Sequence, residues 1–202
     1  SGRAGTRWQA LKIEIGGDVE SSYGAMSSFM HVPDPAQASF ARGVQFWLIA
    51  EARRRNPTIP LLCLSWGMPY WVGNGSTLSA AGAKYHVDFL LGAKAHHGLE
   101  FDYLGIWNEA PWTADYIELL RRQLDAAGLQ RTAIVAADGD TSVISAAAKD
   151  ATLAAAIGAF GVHASALAPN ADAMQLGKPY WSSENDMVDG PMPQWGGTND
   201  VA

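Results

Sequence analysis

The sequence has a single cysteine, Cys63, so no internal disulfide can brace it. It has no apolar run of about 18 residues, which leaves no candidate for a transmembrane helix. It lacks an excess of positive charge: 14 Lys and Arg stand against 20 Asp and Glu, a net charge of −6, so no nucleic acid or anionic lipid is expected as a partner. Neither a Gly-rich phosphate loop nor a metal-ligand spacing occurs, and no cofactor is expected. An initiator Met is also missing, and Ser1-Gly2-Arg3-Ala4-Gly5 resembles neither a signal peptide nor a tag, so the chain reads as an excerpt from a longer gene product.

What is present is a globular composition: 202 residues, 48% hydrophobic and 17% charged, enough for one domain. Eight tryptophans could present flat faces to sugar rings or simply pack in a core.

Apolar–polar alternation over Gln9–Ile15 reads as a strand that stops at Gly16-Gly17. Asp34-Pro35-Ala36-Gln37 has the form of a helix start, and Phe40, Val44, Trp47 and Leu48 follow at helical spacing to Arg53-Arg54-Arg55. The alternation of strand and helix then recurs. Ile59–Trp66 is a nearly continuous apolar strand, followed by a helix over 79–97 that Gly98 closes. Strands are expected at Asp102–Glu109, Thr132–Asp138, Phe160–His163 and Lys178–Glu184, with helices at Asp115–Ala127 and through an Ala-rich stretch to about 157. Six strands alternating with helices, without a hairpin signal between neighbours, predict an α/β fold with a parallel sheet. An open nucleotide-binding sheet is disfavoured because Gly16-Gly17-Asp18 is not its phosphate loop. A closed barrel needs eight strands and typically about 250 residues, so about six of its eight βα units would be present here.

Polar and aromatic groups collect where these strands end: Glu14 and Asp18, Trp66, Asn108 with Glu109, Asp138, His163 and Glu184. In a barrel these positions converge on the C-terminal face, where active sites are built. Asp138 and Asp18 read equally as helix caps. Glu109 and Glu184 form the pair of carboxylates that glycoside hydrolysis requires, one to protonate the departing oxygen and one to attack the anomeric carbon or activate water. Asn108 suits a hydrogen bond to the sugar 2-hydroxyl. On spacing alone, Glu109 could instead cap the helix near Thr113 and Glu184 could be a loop carboxylate. His163 could orient a carboxylate or fill a polar corner. His96-His97 reads as a helix C-terminus, Cys63 as a small buried apolar residue, and His31 and His86 fit no motif.

Four ordered segments carry a resemblance: Lys12-Ile13-Glu14-Ile15-Gly16-Gly17-Asp18, Trp66-Gly67-Met68-Pro69-Tyr70-Trp71-Val72-Gly73, Tyr103-Leu104-Gly105-Ile106-Trp107-Asn108-Glu109 and Tyr180-Trp181-Ser182-Ser183-Glu184. With Gly128-Leu129-Gln130-Arg131 between them, they resemble glycoside hydrolase family 59 over most of residues 8 to 186. The resemblance implies a (β/α)8 TIM barrel, incomplete here because the first and last strands are missing, with residues 1–202 a single partial catalytic domain. It implies a retaining β-galactosidase acting on galactosylceramide and related galactolipids, with Glu109 as acid/base and Glu184 as nucleophile. Asn108 would bind the galactose 2-hydroxyl, and Trp66 would line the sugar site. Ser21 and Ser22 stand where the family has galactose-contacting Thr residues. It also implies further β-sandwich and lectin-like domains, and a secreted protein if bacterial or a lysosomal one if animal-like. Two rival readings are a related barrel glycosidase acting on another β-galactoside or galactan, and a sugar-binding fragment without turnover.

Overall fold

Leu61–Leu64 is buried on both faces, which only a strand covered on both sides can satisfy, and it lies inside a parallel sheet. The computed structural model describes residues 10–21, 24–163 and 170–184. In chain order it contains β1 (Leu11–Glu14), β2 (Glu20–Ser21), β3 (Gly24–Ala25), α1 (Gln45–Arg55), β4 (Leu61–Leu64), α2 (Ala80–His97), β5 (Tyr103–Gly105) and α3 (Ala114–Ala126). There follow β6 (Ala133–Ala137), α4 (Ser142–Ala147), α5 (Ala151–Ala156), β7 (Ile157–His163), α6 (Ala171–Leu176) and β8 (Tyr180–Glu184).

The six long-range strands pair in parallel in the order β1-β4-β5-β6-β7-β8. That order follows the sequence without reversal, whereas a doubly wound sheet reverses at a switch point, so the winding is that of consecutive barrel units. The register places Lys12 beside Leu62, Leu62 beside Tyr103, and Tyr103 beside Ala133. Side chains alternate between two layers. Ile13, Ile15, Cys63, Leu104 and Ile134 pack outward against the helices, where α2 and α3 contribute Phe89, Tyr85, Ile117 and Leu120. Leu62, Val135 and Ala159 form a second, inner cluster capped by Tyr103 and Trp181, whose rings meet edge to face at 4.5 Å. The inner layer is apolar at its base and polar at the C-terminal ends of the strands.

Three expectations are corrected. The helix anticipated from Pro35 is a single 3-10 turn at Pro35–Gln37, and α1 begins only at Gln45, because Gly43 takes a left-handed φ of 90° that breaks the helix. Its buried face is therefore Gln45, Phe46 and Ile49, while Val44, Trp47 and Leu48 are exposed. The Ala-rich stretch is two helices, α4 and α5, divided before Asp150, whose side chain caps α5. Finally, a two-residue antiparallel hairpin, β2 with β3, follows β1; pairs this short leave no alternation to read. His96 and His97 end α2 as expected, stacked on Phe40 and Phe46. Cys63 is buried.

Candidate active site

Thr113 caps α3 by accepting the Tyr116 N–H, so the helix does not need Glu109 as a cap. Glu109 instead turns at a φ of 46°, Asp138 at 54° and Asp18 at 55°, all left-handed for residues with a Cβ. Such conformations cost about 1–3 kcal/mol each and persist where the surrounding structure holds them, commonly at functional sites. The Glu109 N–H donates to the Asp138 carbonyl at 3.2 Å, which ties two of these turns together.

The side chains converge at the same place. His163, at the end of β7, lies with Nδ1 2.8 Å from Glu109 Oε1. Its Nε2 faces the other way, 3.4 Å from Asp138 Oδ1 and 3.8 Å from Glu184 Oε2, at ion-pair distances without hydrogen-bond geometry. One imidazole thus stands between the two carboxylates singled out in the sequence. Lys12, pointing inward from β1, reaches Glu184 Oε2 at 3.0 Å and Asp138 Oδ2 at 3.1 Å, and lies 5.1 Å from the centre of the Trp66 ring. Ser183 donates to Asp138 Oδ1 at 2.6 Å. The Asn108 amide has one orientation that satisfies both of its ends. It donates to Asp138 Oδ2 at 2.9 Å and to Glu184 Oε2 at 3.3 Å, and accepts from the Trp66 indole N–H at 2.9 Å.

Asp138 is the hub of this arrangement, and the sequence left it undecided between cap and pocket. Asp140 takes the turn-forming role instead, accepting the Ser142 N–H at 2.8 Å. Asp138 is 1% exposed. Burial alone would raise its pKa, but the His163 contact, the Lys12 charge and the Ser183 hydroxyl outweigh it and hold the carboxyl below its usual range. Burial likewise pulls His163 down, but Asp138 and then Glu109 favour the imidazolium and leave its pKa raised. Asp138, His163 and Glu184 could in principle hold a cation. The Lys12 ammonium already occupies the two carboxylates of that set, at 3.1 and 3.0 Å.

Glu109, Glu184, Asn108, Trp66 and His163 therefore come together. Ser21 does not join them: its hydroxyl lies 2.9 Å from Glu14 Oε2 and 2.8 Å from the Gly24 carbonyl, beside a Glu14 carboxyl whose pKa burial raises. Ser22 lies outside the described residues. Lys12, which the sequence offers only as part of the first motif segment, joins the site from the inner face of β1.

The family profile of glycosyl hydrolase family 59 matches residues 1–200. The galactocerebrosidase of Danio rerio is 40% identical over 185 residues, covering 90% of this chain and 28% of its own length. That of Homo sapiens is 39% identical over 186 residues, with 90% and 27% covered. The chain thus spans little more than a quarter of these relatives. Among solved structures, an endo-β1,6-glucanase superposes with a TM-score of 0.65 at 16% identity, over 86% of this chain and 47% of that one, a likeness of fold. A profile match along nearly the whole chain, on a sheet wound as consecutive barrel units, establishes that this chain belongs to glycosyl hydrolase family 59.

Proposed function

We propose that residues 1–202 are part of a single catalytic barrel of a retaining β-galactosidase, which releases galactose from galactosylceramide-like galactolipids. The observation that carries the reading is the placement of Glu109 and Glu184 on either side of one imidazole, at the C-terminal ends of β5 and β8 in a sheet whose family is glycoside-hydrolysing. The substrate follows from the galactocerebrosidase relatives. The remaining three-quarters of such a protein would supply further β-sandwich and lectin-like domains.

In this reading Glu184 is the nucleophile. It is held in place by the Lys12 ammonium at 3.0 Å and the Asn108 amide at 3.3 Å. Glu109 is more exposed, with 61% of its side chain open to solvent against 33% for Glu184, which suits the residue that exchanges protons with the leaving group and with water. It protonates the glycosidic oxygen and afterwards takes a proton from water, which hydrolyses the glycosyl–Glu184 ester and releases galactose with its configuration kept. His163 Nδ1 lies 2.8 Å from Glu109 Oε1 and so orients that carboxyl. Asn108 would shift one N–H from Glu184 to the sugar 2-hydroxyl as the ester forms, and Trp66 would floor the sugar site.

The test uses the natural protein that carries this chain. An aryl β-galactoside and then galactosylceramide should be turned over, and Glu184→Gln should abolish both activities. Turnover of the aryl galactoside without the lipid would move the reading to another β-galactoside. Near-normal turnover by Glu184→Gln would overturn it.

A further inference from the structure

His86 sits on the buried face of α2 with no exposed surface, among side chains such as Tyr85, Val87 and Phe89. Its Nε2 lies 2.9 Å from Ser65 Oγ and its Nδ1 lies 3.1 Å from the Tyr116 hydroxyl. Ser65 is fully buried and Tyr116 is 3% exposed. Burial drives the imidazole pKa down to about 3, so it bridges the two hydroxyls as a neutral ring, donor on one nitrogen and acceptor on the other. A fully buried polar bridge costs desolvation that a leucine would not, so its two bonds point to what it holds in place.

It holds both ends of the segment that carries Glu109. At one end, the Ser65 carbonyl accepts the Asn108 N–H at 3.0 Å, and the next carbonyl, that of Trp66, accepts the Trp107 indole N–H at 3.0 Å. These two bonds set the height of the two residues before Glu109. At the other end, Tyr116 belongs to the first turn of α3, whose cap Thr113 closes the loop that leaves Glu109. From Trp107 to Thr113 the chain is otherwise a loop with Glu109 in a left-handed turn, a conformation that needs support from outside.

We infer that His86 is a positioning residue which, through Ser65 and Tyr116, fixes the loop that aims Glu109 at the leaving group. The inference rests on the reading of Glu109 as the acid/base. A misaimed acid impairs substrates in proportion to their need for protonation, whereas a merely structural lesion lowers the active fraction and scales every substrate alike.

The experiment measures kcat/KM of the natural protein on aryl β-galactosides graded from phenol to dinitrophenol leaving groups. His86→Leu should lose about 10- to 100-fold on the phenyl galactoside and far less on the dinitrophenyl one. His86→Gln, which can still donate and accept, should recover part of the loss. Tyr116→Phe removes one bond and should tilt the series in the same direction by less; it carries the test if His86→Leu does not fold. Equal losses across the series, or none, in both the His86 and Tyr116 variants would overturn the inference. Glu109→Ala is the gauge. If it shows the steep dependence and the other variants do not, only the role of His86 falls. If it shows none, the acid/base assignment falls and takes the inference with it.

Discussion

Asp138→Asn removes one carboxylate oxygen charge from the centre of the cluster while keeping the size of the side chain. In the native structure that oxygen pair receives Lys12 at 3.1 Å, Ser183 at 2.6 Å and Asn108 at 2.9 Å, and the group is 1% exposed. The Lys12 side chain is 18% exposed, so solvent compensates it little once its partner is neutral. Breaking a buried pair by neutralising one partner costs about 3–5 kcal/mol, and Lys12 keeps Glu184, which places the expected loss near 3 kcal/mol. For a domain of this size that corresponds to a fall in Tm of roughly 6–12 °C. The pH dependence has a definite sign. Because the folded carboxyl titrates below its usual range, its stabilisation is present above the unfolded value of about 3.9 and is lost as pH falls through the lower folded value. Scanning calorimetry of native and variant protein should therefore show a wide gap in Tm at pH 6–7 that narrows below about pH 4. A variant within about 0.5 kcal/mol of native at neutral pH, the range of an ordinary surface substitution, would refute the reasoning.

Other consequences are as direct. The His163 ring should titrate above the usual value of about 6.5 when followed by NMR, and Asp138→Asn should bring it down; the stability it lends is full below about 6.5 and fades as pH rises through its folded value. An unmoved titration would show that Asp138 is not its main partner. Gly17→Ala drives a Cβ into the Gly67 carbonyl, backbone against backbone, and should cost about 1–3 kcal/mol in thermal unfolding, whereas an unchanged Tm would contradict the contact between the loops after β1 and β4.

The parallel order of the sheet was legible because strand and helix periods alternate without hairpin signals, and Glu109 and Glu184 were legible because carboxylates at the mouths of apolar strands are costly without a purpose. Asp138 was ambiguous for a local reason: an Asp before Gly139-Asp140-Thr141-Ser142 looks like a cap, and only the fold shows that Asp140 takes that work. Lys12 was hidden because its alternation with Ile13 also describes a strand with one face in water; the curl of the sheet turns that face inward. The face of α1 was misjudged because the helical spacing was counted from Pro35, and the break at Gly43 resets the phase. His86 carries no local pattern at all, since its partners come from β4 and α3.

The central claim is that Glu184 attacks the sugar and Glu109 does not. A 2-deoxy-2-fluoro-β-galactoside with a dinitrophenyl leaving group slows hydrolysis of the intermediate more than its formation, so the glycosyl-enzyme should accumulate. Mass spectrometry of peptides from the inactivated natural protein should then find one fluorogalactosyl group, on the carboxyl of Glu184. A label on Glu109, or complete turnover with inverted galactose and no labelled protein, would contradict the account.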